Sequence, residues 1–244
     1  MKDKRKAFKP IYKEIIMVRF KLIFIILVGI AISGWQVFIV HKIYAEDASI
    51  FRYYPLKVGN IWKYEVGGGS IGGTIRRDEV LEYLDKYNAY LINHVSRVDI
   101  SVGSYPPIES DSVVEVRGHN ILKIASSDTG KTELKMRAQP EIILQGPLDI
   151  GRTWKYSRSD AGDSVKIEYK ILSFVDYKVK AGSFKNVCKI ERKQTVKLDG
   201  ELFSWSISNL YYAPNIGLIA EVAIKNNKSN KPQTILELAE YKIR

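Results

Sequence analysis

The run from Gly67 to Gly72, GGGSIG, satisfies two reaction-bearing patterns at once. Read from Gly68 it is G-x-S-x-G, in which Ser70 would be a nucleophile on a tight turn. Read from Gly67 it is G-x-G-x-x-G, a cradle for a pyrophosphate. Both chemistries need a helix straight afterwards, to aim the serine or to bind phosphate at its N-terminus. The next residues, Gly73-Thr74-Ile75-Arg76-Arg77, lead into strand-like sequence, so the run reads as a glycine-rich loop between strands. Were Ser70 a nucleophile, Asp85 with His94 or His119 would be its partners, yet no spacing ties them together. His94 lies in the apolar stretch YLINHV and His119 in a turn. Two isolated histidines without a carboxylate at ligand spacing read as structural or surface residues rather than metal ligands. The one cysteine, Cys188, stands between Val187 and Ile190 and reads as a small buried hydrophobe. No catalytic, metal or cofactor-binding residue is therefore assigned, no cofactor is expected, and the chain reads as a binder rather than an enzyme.

Composition narrows the class further. The 244 residues are 45% hydrophobic and 27% charged, near the averages of a folded domain, and one cysteine excludes a disulfide framework. The formal charge of +11 divides unevenly: residues 1–45 carry a net +7, and the remaining 199 a net +4. That remainder reads as an ordinary solvated surface, without the clustered basic face of a nucleic-acid binder. Leu22 to Val40 holds 19 residues without a charge, long enough as a helix to span a bilayer's hydrocarbon core. Eight of the nine early basic residues precede it, which places the N-terminus in the cytoplasm and everything after Val40 across the membrane. The run is longer than a usual signal peptide, favouring a retained anchor. Against that, Met17 could start a compact leader, MVRFK, and HKIYA ends in a small residue that suits cleavage after Ala45. Both alternatives give the same compartment: extracytoplasmic, either anchored or released. No cysteine follows the run, so a lipid-modified N-terminus is not expected.

The remaining residues must be positioned by strands. PLKVGNIWKY, from Pro55 to Tyr64, returns as PLDIGRTWKY, from Pro147 to Tyr156, with six of ten positions identical. VLEYLD (80–85) and ILSFVD (171–176) follow at nearly the same offset, and NILKI (120–124) matches NIGLI (215–219) more weakly. The expected organisation is a basic region 1–21, an apolar helix 22–40, a linker 41–52 and two tandem β repeats, 53–146 and 147–244. In the repeated motif Gly59 and Gly151 permit a turn, while Trp62 with Tyr64, and Trp154 with Tyr156, share one face as core anchors. Val165, Ile167, Tyr169 and Ile171 alternate as in a half-buried strand. So do Val196 and Leu198, and then Leu202, Phe203, Trp205 and Ile207, around the hairpin signal Asp199-Gly200. The stretch 78–87 has some helical character but is assigned as strand by its counterpart.

Three strings, YYPLKVGNIWKYE, VKAGSFKNVCKIE and LYYAPNIGLIAEV, resemble the DUF3108-like group of exported bacterial proteins of unknown function. There a PLxxGxxWxY opening, an AGxFxxCxKxE middle and a YYAxGVGLV close recur. Here Val187-Cys188 falls where the group often has Cys followed by Val or Leu, and Asn215-Ile216 where Gly-Val is usual. The resemblance covers residue 53 to the C-terminus. It implies an all-β, antiparallel curved sheet or half-barrel, similar in outline to periplasmic lipoprotein carriers, and brings no catalytic residues. The resulting expectation is an envelope binding module whose concave apolar face holds a lipid or other hydrophobic ligand, with Trp205, Tyr211 and Tyr212 as candidate contacts. The alternatives are a protein- or glycan-interaction module using exposed aromatics such as Tyr211 and Tyr212, and, remotely, an esterase using Ser70.

Overall fold

Period-two sequence becomes strand almost without interruption. A computed structural model of the chain describes residues 50–67, 73–100, 103–104, 106–128, 133–160, 162–227 and 229–244. The basic leader, the apolar run 22–40, the site after Ala45 and Ser70 all lie outside the described residues. Among the described residues no helix is long and apolar enough to cross a membrane. A turn of helix at residues 50–53 precedes β1 (Ile61–Val66), β2 (Gly73–Leu84), β3 (Ala89–Ile100), the short β4 (Gly103–Ser104), β5 (Ile108–Arg117), β6 (Asn120–Ser127) and β7 (Leu134–Gln145). There follow β8 (Thr153–Asp160), β9 (Asp163–Val179), β10 (Gly182–Leu198), β11 (Glu201–Ala213), β12 (Gly217–Asn226) and β13 (Gln233–Lys242). The stretch 78–87 is strand up to Leu84 and then a single 3-10 turn, Asp85–Tyr87, closed by Asn88 at φ +47°.

All strands belong to one antiparallel sheet in the order β7-β6-β5-β3-β2-β1-β13-β12-β11-β10-β9-β8, with β4 pairing only β3. Two meanders, β1 to β7 and β8 to β13, are thus joined where β1 pairs β13, from Ile61 opposite Lys242 to Val66 opposite Leu236. The sheet curls further than a half-barrel, because its two edge strands meet. The Trp154 indole on β8 donates to the Ile142 carbonyl on β7 at 3.1 Å, and the Arg137 guanidinium on β7 donates to the Tyr156 hydroxyl on β8 at 3.3 Å. Among the described residues no ladder joins these strands, so the barrel is laced everywhere except at a β7/β8 seam. The sequence of β7 explains why. Lys123 and Ala125 of β6 pair with Glu141 and Met136, so four residues of β7, Arg137 to Pro140, bulge opposite one of β6. Pro140 has no N–H to give a neighbour, and proline inside a strand belongs at an edge.

The twice-used motif folds alike in both places. Gly59 (φ +85°) and Gly151 (φ +90°) adopt a backbone that favours glycine, and their N–H groups donate to Val80 and Ile171, each at 2.8 Å. The return bonds, Val80 N–H to Asn60 and Ile171 N–H to Arg152, are each 3.0 Å. Trp62, Tyr64, Trp154 and Tyr156 are all buried. Asp199 (φ +49°) and Gly200 (φ +79°) form the two-residue turn between β10 and β11 that their sequence predicts. The alternation beside that turn does not bury its apolar residues: Leu198, Leu202 and Phe203 are exposed, Phe203 at 64%. They sit at a hairpin tip that projects past the packed layers, where period two no longer selects an inside face.

Candidate functional site

The site is the barrel lumen, and cross-strand register builds it. Trp62 on β1 stands opposite Asp78 on β2, which stands opposite His94 on β3. Arg76 lies two residues from Asp78 on the same face and opposite Tyr64. Ser112 on β5 is the diagonal neighbour of His94, whose direct partner is Ser110. The outcome is a chain of contacts on one wall. Arg76 grips both Asp78 oxygens at 2.7 and 2.8 Å, His94 Nδ1 lies 2.7 Å from Asp78 Oδ1, and His94 Nε2 lies 2.8 Å from Ser112 Oγ. With Asp78 accepting, Nδ1 carries a proton, and Nε2 faces the serine hydroxyl. Burial pushes the Asp78 carboxyl up, but His94 and Arg76 more than offset this and hold it below the usual carboxylate range.

Serine, histidine and aspartate in this order are the ingredients of acyl transfer. Two features of the surroundings oppose that use. Arg76 already neutralises the carboxylate that would steady a protonated imidazole during proton transfer. Ser112 sits mid-strand between β3 and β6, opposite Ile92 and Ser126, where backbone N–H groups serve the ladders rather than an oxyanion. The arrangement is a satisfied polar network built into a wall.

Two more ion pairs stand around the lumen. Arg192 on β10 meets Glu221 on β12 at 2.5 Å. Arg137, turned inward by the β7 bulge, meets Glu141 at 3.5 Å, and Glu141 also accepts from the Tyr169 hydroxyl at 3.3 Å. Tyr169 stacks on Trp154 with centroids 5.0 Å apart. Burial raises the phenols of Tyr54, Tyr64, Tyr169 and Tyr212, so all four are protonated at neutral pH. Between the walls lies a cavity of about 200 Å³, bordered by Trp62, Tyr64, Tyr169 and Tyr212 as well as Arg76, Asp78, His94, Lys123, Glu141, Arg192 and Glu221. The charges beyond residue 45 are therefore not all solvated surface, and the concave face is not apolar.

The three strings quoted above, around Trp62, Cys188 and Gly217, converge in space. On the closing string, Gly217 (φ +101°) is flanked by two carbonyl acceptors: Ile216 takes the Trp62 indole N–H at 2.6 Å and Leu218 the Tyr64 hydroxyl at 3.0 Å. On the middle string, the Asn186 carbonyl accepts from the Tyr53 hydroxyl at 2.9 Å. Cys188 is fully buried, which pushes its thiol up to about 12.

Residues singled out from sequence fare unequally. Trp62, Tyr64 and Tyr212 border the cavity. Trp154 and Tyr156 stand behind it at the seam, and Gly59 and Gly151 shape the strand starts. Tyr211 is buried against Tyr177, with ring centroids 4.0 Å apart, so neither Tyr211 nor Tyr212 is an exposed aromatic. Trp205 lies outside the cavity lining, with the Lys225 ammonium 5.5 Å from its ring centre. Asp85 is an exposed residue of the 3-10 turn, and His119 lies in the β5–β6 turn where its carbonyl accepts from Gly146. Neither joins His94. Sequence reasoning missed Asp78, Ser112, Lys123, Glu141, Arg192 and Glu221.

Three solved structures are similar in fold. A protein from Parabacteroides distasonis, provisionally assigned as a lipoprotein, aligns with TM-score 0.48 and 10% identity over 78% of this chain and 98% of its own. A provisionally exported protein with YmcC-like fold from Bacteroides fragilis gives 0.43 and 13% over 76% and 96%. A β-barrel-like protein of the DUF1849 domain from Brucella abortus gives 0.39 and 11% over 78% and 99%. No family model matches the chain, and no curated protein matches it. The resemblance to the DUF3108-like group therefore rests on its three strings alone.

Proposed function

We propose that the chain is an extracytoplasmic, non-catalytic binding protein that takes a small amphiphilic solute into the lumen. One observation carries this reading: the cavity of about 200 Å³ has aromatic rings on its border together with ion-paired side chains. Such a lining suits a molecule with an apolar body and a polar group, and suits a wholly apolar lipid tail less well. The volume is a little larger than an apolar cavity of about 150 Å³ that takes up benzene, which favours a compact ligand over a long acyl chain. The lopsided charge around residues 22–40 supports export. The matched bonds at Gly59 and Gly151 support two tandem copies, 53–146 and 147–244, as the origin of the two meanders.

The test is mass spectrometry of solutes released by denaturing the full-length protein purified from membranes and from medium. Near-stoichiometric release of one small molecule is expected. No released solute, combined with no rise in melting temperature across a panel of small amphiphiles, overturns the reading. Ester hydrolysis by the wild type that disappears in Ser112→Ala would contradict its non-catalytic part.

A further inference from the structure

The charged groups in and around the lumen do not balance, and the imbalance is localised. Three carboxylates are present, and each has its own arginine: Asp78 with Arg76, Glu221 with Arg192, Glu141 with Arg137. The fourth cation, Lys123, is left over. It stands opposite Glu141 across the β6–β7 ladder, but the Glu141 oxygens are engaged by Arg137 and Tyr169. Among the described residues Lys123 makes no hydrogen bond or ion pair, although it is half-buried and borders the cavity. Two more donors lack an acceptor: the Nε groups of Arg192, which borders the cavity, and of Arg137, which pairs with the cavity-bordering Glu141, are both buried without a partner. A half-buried, unpaired ammonium and two buried, idle guanidinium N–H groups are costly unless an acceptor arrives.

We infer that the lumen holds a compact oxyanion, a carboxylate or phosphate, whose charged group is bound by Lys123 with Arg137 and Arg192 as flanking donors. This deepens the binding reading above and rests on it. The aromatic residues of the border, Trp62, Tyr64, Tyr169 and Tyr212, would take the body of an organic anion, whereas free phosphate would use the charged corner alone. Burial lowers the Lys123 ammonium from its ordinary value, the larger influence, and Glu141 partly restores it; a bound anion would complete that restoration.

The experiment uses the full-length chain in lipid nanodiscs, with empty nanodiscs as control, and three probes followed by calorimetry: benzoate, its neutral isostere benzamide, and inorganic phosphate. Lys123→Met is the variant, because it keeps length while removing charge. Its melting temperature, which should not fall, shows that it folds. Benzoate should bind wild type at least tenfold tighter than benzamide, and Lys123→Met should lose that margin while benzamide binding is unchanged. Phosphate binding that depends on Lys123, without benzoate binding, also supports the inference and identifies a free oxyanion as the source. Equal binding of benzoate and benzamide, or benzoate affinity unchanged in Lys123→Met, overturns the inference and leaves the binding reading standing. Binding of none of the three overturns both.

Discussion

The barrel is joined to itself in two places, and the two joints use the same materials differently. At β1/β13 six residues of β1 find partners in a ladder with one register shift between Lys63 and Tyr64, and Trp62 reaches past it to the Ile216 carbonyl. At β7/β8 the equivalent tryptophan, Trp154, makes its bond to Ile142, but no ladder accompanies it. The same ten-residue motif therefore starts a strand that is laced on one side of the molecule and an edge on the other. What differs is the partner. β13 carries a single extra residue opposite Lys63–Tyr64, which leaves pairing with β1 intact on both sides of it, while β7 carries the four-residue Arg137–Pro140 bulge. The lumen divides along the same line. On the joint side Asp78, opposite Trp62, is fully partnered; on the seam side Lys123, opposite Glu141, makes no hydrogen bond or ion pair among the described residues. The laced joint satisfies its charges, and the seam leaves one for something else.

That contrast breaks most visibly at the tryptophans. Trp62→Ala should cost about 4 kcal/mol, as expected for a buried tryptophan at a laced joint, whereas Trp154→Ala should cost about 2 kcal/mol because the adjoining edge can collapse. Urea midpoints of the two variants measure the difference, and equal losses would erase the distinction. Next in size, Asp78→Asn leaves Arg76 without its counter-charge and should cost about 3 kcal/mol, less than Trp62→Ala. The Asp78 carboxyl is held below its unfolded value, so its contribution is complete above about pH 4 and is lost as pH falls through the folded value. The wild-type stability curve should therefore fall below about pH 4 more steeply than that of Asp78→Asn, read from melting temperatures across an acid series.

On the seam side the sign reverses. Lys123→Met removes a half-buried ammonium faced by Glu141, Arg137, Arg76 and Asp78, and should raise ligand-free stability by about 1 kcal/mol at neutral pH. Because burial depresses the folded value of this lysine, the gain should shrink as pH rises toward the unfolded value near 10.4. Chemical denaturation at two pH values checks this, and a destabilised variant would contradict it. The smallest effect belongs to Tyr156→Phe, which deletes a single 3.3 Å bond across the seam and should cost under about 1 kcal/mol. Hydrogen exchange separates the joints without mutation: β1 amides from Trp62 to Val66 should be strongly protected, and amides of β8 that face the seam should exchange fast.

How much of this was legible depended on whether the signal was local. Strand alternation from Val165 to Ile171, the Asp199-Gly200 turn and the duplicated tryptophan motif are set by neighbours in sequence, and the fold obeys them. The site is assembled from single residues on many strands, each looking like an ordinary surface charge. A usable cue was nonetheless present. Asp78 lies two positions from Val80, Lys123 from Ile121, Arg192 from Ile190 and Glu221 from Ile219, and these four apolar residues are fully buried. Period two then turns the charge inward with its neighbour. What no periodicity could show is which inward charges meet, because that depends on register across strands as far apart in sequence as Asp78 and Glu221. The exposed hairpin tip at Leu202 and Phe203 failed for the opposite reason, since alternation persists there after the layer it faces has ended.

The seam's two strands are also consecutive in the chain. β7 ends at Gln145 and β8 begins at Thr153, and the short link between them is fastened by the Arg152 guanidinium to the Gly146 carbonyl at 2.8 Å. The strands are thus pinned together at one extremity, with the Trp154 and Tyr156 contacts next along and only Leu134 and Asp160 at the far limit. Any parting of the wall must be wedge-shaped, like a clasp-knife pivoting at the link. A solute passing sideways into the barrel would cross at the Leu134 end, and a pair of cysteines placed there would lock the door without touching the room behind it.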